Sequence, residues 1–153
     1  MKKVLISACL MGENVRYDGK NSRKSSATIE QWRQSGYLVS FCPEVSGGLS
    51  IPRPPAELQP DSRVITVEGD DVTTEFKQGA ERALALCREH RIQIAILKEG
   101  SPSCGNSLIN DGTFSHTKVS GQGVTTQLLE KNGIRVFSED DIEKAEKHLK
   151  AIK

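Results

Sequence analysis

The sequence predicts an α/β protein: one three-layer domain over residues 1–153, Rossmann-like or flavodoxin-like, with a mostly parallel sheet and a small hairpin excursion. Three observations predict it. Short β-branched, apolar runs alternate along the chain with stretches of helical periodicity, the pattern of β-α-β crossovers. One of those runs, IQIAILK at 92–98, is almost continuously apolar, as suits a strand buried on both faces of a parallel sheet. The length of 153 residues suits one core that needs no disulfides to hold it.

The elements follow in order. KVLIS, 3–7, is the first strand, and a polar, glycine-containing loop runs from it to about Ser22. Ser26 caps a first helix, with Ile29, Trp32 and the stem of Arg33 on its inner face and Gly36 at its end. YLVSF, 37–41, is the second strand. In CPEVSGGLSIPRPPAEL four prolines and two glycines argue against regular structure. RVITVEGDDVT, 63–73, reads as the hairpin excursion, turning at Gly69. From Glu75 to His90, residues Phe76, Ala80, Ala83, Leu84 and Cys87 share one helical face. The strand at 92–98 follows, then a long polar loop over 99–122. GVTTQLLEKNG is a helix ending at Gly133, IRVF is a fourth strand, and Ser138 caps a terminal amphipathic helix. The expected strand order is 2-1-3-4.

Bulk properties narrow the function. The formal net charge is +1, so no global field draws nucleic acid or an anionic membrane surface. No run approaches membrane-spanning length, and the apolar start breaks at Gly12 to Arg16, too soon for a secretory segment. A cytoplasmic location is expected, where four cysteines serve as metal ligands, nucleophiles or inert thiols. GxGxxG after the first strand, GxxxxGK[ST] and GxSxG do not occur, which argues against dinucleotide binding, a P-loop and a hydrolase elbow.

The cysteines carry the chemistry. Cys9 lies just after strand one, Cys42 directly after strand two and Cys104 in the loop after strand three. In a parallel sheet these points fall on the same carboxyl edge, where open α/β folds bind ligands. Cys87 differs, falling on an apolar helix stripe as a small buried hydrophobe. Three thiolates can hold a [4Fe–4S] cube with one open iron, or zinc with a fourth ligand or water. They can also be three unrelated thiols. Pro43 biases Cys42 toward extended backbone, while Pro102 and Gly105 flank Cys104 and suit a close inorganic neighbour. Glu44, two residues past Cys42, is either a proton shuttle beside a negatively charged group or a carboxylate capping backbone amides. Ser101 and Ser103 offer hydroxyls.

The blocks SACLMGENVRYDG, CPEVSGGLSIPRPPAE, LKEGSPSCG and DGTFS…GQGV resemble the 2-thiouracil desulfurase family, a small bacterial family long catalogued as a domain of unknown function. The resemblance spans nearly the whole chain. It implies a [4Fe–4S] cluster held by Cys9, Cys42 and Cys104 with one open iron, a catalytic acid at Glu44, and a catalytic serine at Ser101 or Ser103. The implied reaction replaces thiocarbonyl sulfur by oxygen in a small thiolated base such as 2-thiouracil without net redox. Sulfide leaves, free or to an acceptor. His116, Thr117 and Lys118 make the stretch after DGTFS more basic than the family pattern, which bears on substrate preference.

Arg16, Tyr17, Asp18, Ser46 and His116 are candidates to line the substrate pocket, with Tyr17 stacking on a flat base and Asp18 accepting from ring N–H groups. The plain alternative for 16–19 is a turn with Gly19 at positive φ. Arg53 and Glu57 are expected to pair with each other, Lys98 to snorkel outward, and His148 to lie on a solvated face. The competing functions are a zinc-dependent hydrolase at the same three cysteines and a metal- or sulfide-binding carrier without turnover.

Overall fold

The computed structural model describes residues 2–152. Its centre is a four-stranded sheet. Strand β1 (Val4–Ser7) runs into a 3-10 turn over Ala8–Met11. Helix α1 (Ala27–Gln34) leads to β2 (Leu38–Phe41), and a one-turn helix α2 (Pro43–Ser46) follows at once. A hairpin of β3 (Ala56–Leu58) and β4 (Val64–Thr66) precedes the long helix α3 (Thr73–Glu89) and β5 (Ile94–Leu97). A second hairpin joins β6 (Leu108–Asn110) to β7 (Lys118–Ser120). Helix α4 (Val124–Lys131), β8 (Arg135–Ser138) and helix α5 (Ile142–Ala151) complete the chain.

The main sheet has the order β2-β1-β5-β8, every pair parallel, which is the expected 2-1-3-4 order of the main strands. Period-two alternation divides the core into two faces. Val4, Ile6, Ile94, Ile96 and Phe137 pack with Ile29 and Trp32 of α1 and with Ile142, Ala145 and Leu149 of α5. Leu5, Ala95, Leu97 and Val136 pack with Ala83, Leu84 and Cys87 of α3 and Leu129 of α4. These are the three expected layers. β1 and β5 are buried at every position, which is why they read as continuous apolar runs. Ser26 caps α1 by accepting from the Ile29 amide, and Ser138 caps the turn that opens the last helix by accepting from Asp140.

The departures lie between the main strands. The proline-rich stretch is not irregular throughout: Pro43 sits at the first position of α2, where its missing N–H costs nothing. Residues 99–122 contain the β6–β7 hairpin, which three-residue strands and an exposed β7 conceal from a periodicity reading. The first hairpin pairs β4 with the earlier β3, although Gly69, at φ 90°, does turn the chain back so that Ile65 bridges Asp71. Arg33 turns outward to pair with Glu30. His148 lies half-buried beside the Phe137 ring, centroids 5.9 Å apart. A third apolar cluster, Leu58, Val64, Phe76 and Ile109, ties both hairpins to α3.

Ile96 is fully buried at the centre of the sheet, so Ile96→Ala is expected to cost about 2–5 kcal/mol. The denaturant midpoint should fall accordingly, with little change in the slope of the transition.

Candidate active site

Parallel pairing brings β1, β2 and β5 to one edge, and the chain leaving each carries a cysteine. Cys9 sits in the turn that continues β1, which Gly12 closes at φ 91° by donating to the Ala8 and Cys9 carbonyls. Cys42 is the N-cap residue of α2 in the extended conformation that Pro43 favours. Cys104 lies in the loop after β5 and is 5% exposed. All four cysteines are free thiols.

Each of the three thiols lies within the field of the others' neighbourhood. Burial pushes Cys9 up to about 11; the charges of Cys42, Glu139 and Glu44 add to that, and Lys98 opposes it. Burial also raises Cys42, with the Glu44 charge adding and the Val45 amide and Arg53 opposing. Cys104 is driven furthest by burial, with Glu44 and Cys42 adding and the hydroxyls of Ser7 and Ser103 opposing. Cys87 stands apart in the α3 core, pushed up to about 12 by burial alone. Among the described residues no three His, Cys, Asp or Glu side chains converge closely enough for one metal ion. A single zinc would draw thiolates to about 2.3 Å from its centre. Three cysteine sulfurs carried on loops at one sheet edge are soft donors of the kind an iron–sulfur group takes.

The α2 turn is held by backbone contact rather than side chains. A Cβ on Gly79 of α3 would stand 1.9 Å from the Pro43 carbonyl oxygen, and one on Gly47 would stand 2.0 Å from the Glu75 carbonyl oxygen. Two glycines thus let α2 lie directly on α3, and Arg82 adds a hydrogen bond to the Ser46 carbonyl. This contact sets Cys42 and Glu44 together.

Glu44 meets a cation nine residues away. Arg53, with a side chain 6% exposed, donates from Nε to Glu44 Oε1 at 3.2 Å. Its Nη1 and Nη2 go to the carbonyls of Ser50 and Val15, so the guanidinium joins three loop segments. Arg53 therefore pairs with Glu44 and not with Glu57. Glu57 is buried and accepts from the amides of Gly112 and Phe114, anchoring the β6–β7 connection. The other Glu44 oxygen accepts from Ser101 Oγ at 3.3 Å.

The two serines separate cleanly. Ser101 reaches Glu44 and accepts from the amides of Ser103 and Cys104, each at 3.1 Å. Ser103 is fully buried, bonded to Thr125 at 2.7 Å, with its hydroxyl against the Cys104 sulfur. Gly105 and Gly123 leave no room for a Cβ beside this loop; the latter would stand 2.4 Å from the Ser103 carbonyl.

Arg16, Tyr17 and Asp18 form a self-bonded turn. Arg16 pairs with Asp18 at 3.1 Å, Asp18 accepts from the Lys20 amide, and Gly19 takes φ 77°. The turn borders Arg53, whose amide donates to the Tyr17 carbonyl, and leaves the Tyr17 ring 42% exposed. Ser46 closes α2, its carbonyl held by Arg82. His116 is exposed in the connection of the β6–β7 hairpin at φ 59°, and no described hydrogen bond ties it to Glu44 or the cysteines.

Three charged residues escaped sequence reasoning as part of this edge. Lys98 does not run free into solvent but donates to Glu139 Oε2 at 2.8 Å and to the Glu99 carbonyl at 3.0 Å. Glu139 also accepts from the Glu99 amide. The Glu99 carboxylate accepts from the amides of Gly100, Asn106, Ser107 and Leu108 and from the Ser107 hydroxyl, closing the loop that holds Cys104. Burial alone would raise its pKa, but the amides of Leu108, Ser107 and Asn106 outweigh that and hold it below the usual carboxylate range. The LKEG block contained the signal: two adjacent charges directly after a buried strand need partners.

Residues 4–141 match a family model described as 2-thiouracil desulfurase. The chain is 40% identical over 148 residues to an uncharacterized protein, YbbK, of Bacillus subtilis (strain 168), covering 91% of this chain and 97% of that one. A solved structure described as a [4Fe-4S]-dependent thiouracil desulfidase, TudS, superposes with a TM-score of 0.97 at 47% identity, covering 99% of this chain and 100% of that one.

Gly79→Ala is expected to force α2 off α3, lowering stability by about 1–3 kcal/mol and reducing iron retention after anaerobic reconstitution. Denaturation and iron analysis together read both effects. Because Glu99 has a lowered folded pKa, its contribution to stability is complete above about pH 4.3 and is lost as pH falls through the lowered value. An acid titration of unfolding stability should show that loss in the wild type, and Glu99→Gln should remove it while lowering stability at neutral pH.

Proposed function

The chain belongs to the 2-thiouracil desulfurase family, and from that premise we propose that it replaces the thiocarbonyl sulfur of a small thiolated base such as 2-thiouracil with oxygen, releasing sulfide without net redox. Cys9, Cys42 and Cys104 would hold a [4Fe–4S] group by three corners. Bound there, that group supplies a soft Lewis acid with one iron free of protein ligands for the thiocarbonyl sulfur. The observation that carries the reading is that three cysteine-bearing loops leave one edge of the parallel sheet, where an ion-paired, serine-bonded carboxylate also sits.

Glu44 is the base. Its oxygens are held by Arg53 and Ser101, so the carboxylate is oriented before substrate enters. One proton of an attacking water passes to Glu44, the oxygen joins the ring carbon, and the second proton leaves with the sulfur as hydrosulfide. Ser101 is the hydroxyl placed to turn from Glu44 toward charge developing on the base. Ser103, committed to Thr125 and to the Cys104 sulfur, supports the ligand instead. Tyr17, on the exposed rim beside Arg53, offers a stacking face, and Arg16, Asp18, Ser46 and His116 offer polar contacts further out. Four unpaired thiols suit a reducing compartment such as the cytoplasm.

Anaerobic reconstitution followed by a sulfide-release assay on 2-thiouracil tests the reading. The loaded protein should be brown and active; a colourless zinc protein, or a brown one that releases no sulfide from any thiobase, would contradict it. Glu44→Gln should retain iron and lose turnover by about 100-fold or more. Undiminished turnover would remove Glu44 from the reaction.

A further inference from the structure

A released hydrosulfide is an anion, and the edge where it forms already holds Glu44 and Glu139 beside the three thiols. A protein cation beside it would offset that charge. Arg53 cannot: its Nε, Nη1 and Nη2 are engaged with Glu44, Ser50 and Val15. Lys98 can. An ammonium has three N–H donors. Two are spent, on Glu139 Oε2 and the Glu99 carbonyl, and the third has no partner among the described residues.

The Lys98 backbone is fixed as firmly as its side chain. Its amide donates to Ser7 Oγ at 3.0 Å, linking the end of β5 to the residue between β1 and the Cys9 turn. Glu139, with a side chain 12% exposed, grips the following amide and the ammonium at once. In the order β2-β1-β5-β8, Lys98 and Glu139 follow β5 and β8, on the other side of β1 from β2, which leads to Glu44, and the ammonium there is half-buried. A base on one side and a cation on the other match the two ends of a C=S bond: the carbon gains oxygen and the sulfur leaves with charge.

We propose that Lys98 is a second functional cation of this edge, whose unspent N–H receives the departing sulfur as hydrosulfide, its charge partly offset by Glu139. The inference rests on the desulfurase reading. No bond to Lys98 forms or breaks; it contributes a charge-assisted hydrogen bond and so also favours extra negative charge on the loaded site.

The test uses the full chain, reconstituted anaerobically, titrated with sodium hydrosulfide and followed by visible absorption. Its midpoint potential and its iron and acid-labile sulfide are measured alongside. Lys98→Met is expected to weaken hydrosulfide binding tenfold or more and shift the potential negative at unchanged iron content. Lys98→Arg should restore most of the affinity. Glu139→Gln, which removes the opposing charge, should tighten hydrosulfide binding, and this arm decides the matter should Lys98→Met lose iron. Hydrosulfide affinity within twofold of wild type in Lys98→Met, or unchanged or weaker binding in Glu139→Gln, overturns the proposal. Wild-type protein that takes up iron and releases sulfide while the variants behave this way leaves the desulfurase reading standing; wild type that does neither defeats both.

Discussion

Parallel pairing governs this molecule. When β1, β2 and β5 run side by side in one direction, every chain that leaves them must emerge at the same edge. Cys9, Cys42 and Cys104 are each within a few residues of such an exit, so the pairing alone gathers sulfurs that are separated by 33 and 62 positions in sequence. The gathering has an electrostatic consequence. Burial, with smaller additions from the charges of Cys42, Glu44 and Glu139, raises the three thiols above their ordinary range, and they consequently hold their protons. Arg53 and Lys98 offset part of those additions.

The loops that carry the site have little regular structure, and a long irregular loop leaves its amides to be satisfied some other way. Here buried or half-buried carboxylates do it. Glu99 collects the amides of the Cys104 loop, Glu57 those of the second hairpin's connection, and Glu139 the amide that follows Lys98. Each is an internal anion-binding arrangement in which the anion belongs to the chain. Order in the loops thus comes from charge-assisted hydrogen bonds, which are stronger than neutral ones and geometrically selective.

The sheet was legible because burial on both faces writes continuous apolar runs into β1 and β5, and because helices of eight residues or more repeat their apolar positions at 3.6. The placement of the three cysteines on one sheet edge followed from that order alone. What escaped was short or non-local. Three-residue strands show no period, so β6 and β7 vanished into an apparent loop. Arg53 was assigned to Glu57 because both lie in the same loop, whereas a contact with Glu44 depends on how that loop folds back over α2. Which of Ser101 and Ser103 bonds Glu44 depended on which of them Thr125, far along the chain, would claim. Gly47 was readable as a point of close chain approach, but the role of Gly79 required knowing that α2 exists.

That α2–α3 junction has a broader implication. The sulfur of residue 42 and the carboxylate of residue 44 ride on a single turn pressed, peptide against peptide, onto the longest helix described. Their mutual spacing is therefore fixed by that junction and not by the outer hairpins. Substitutions in the outer loops can consequently accumulate without altering the separation of residues 42 and 44.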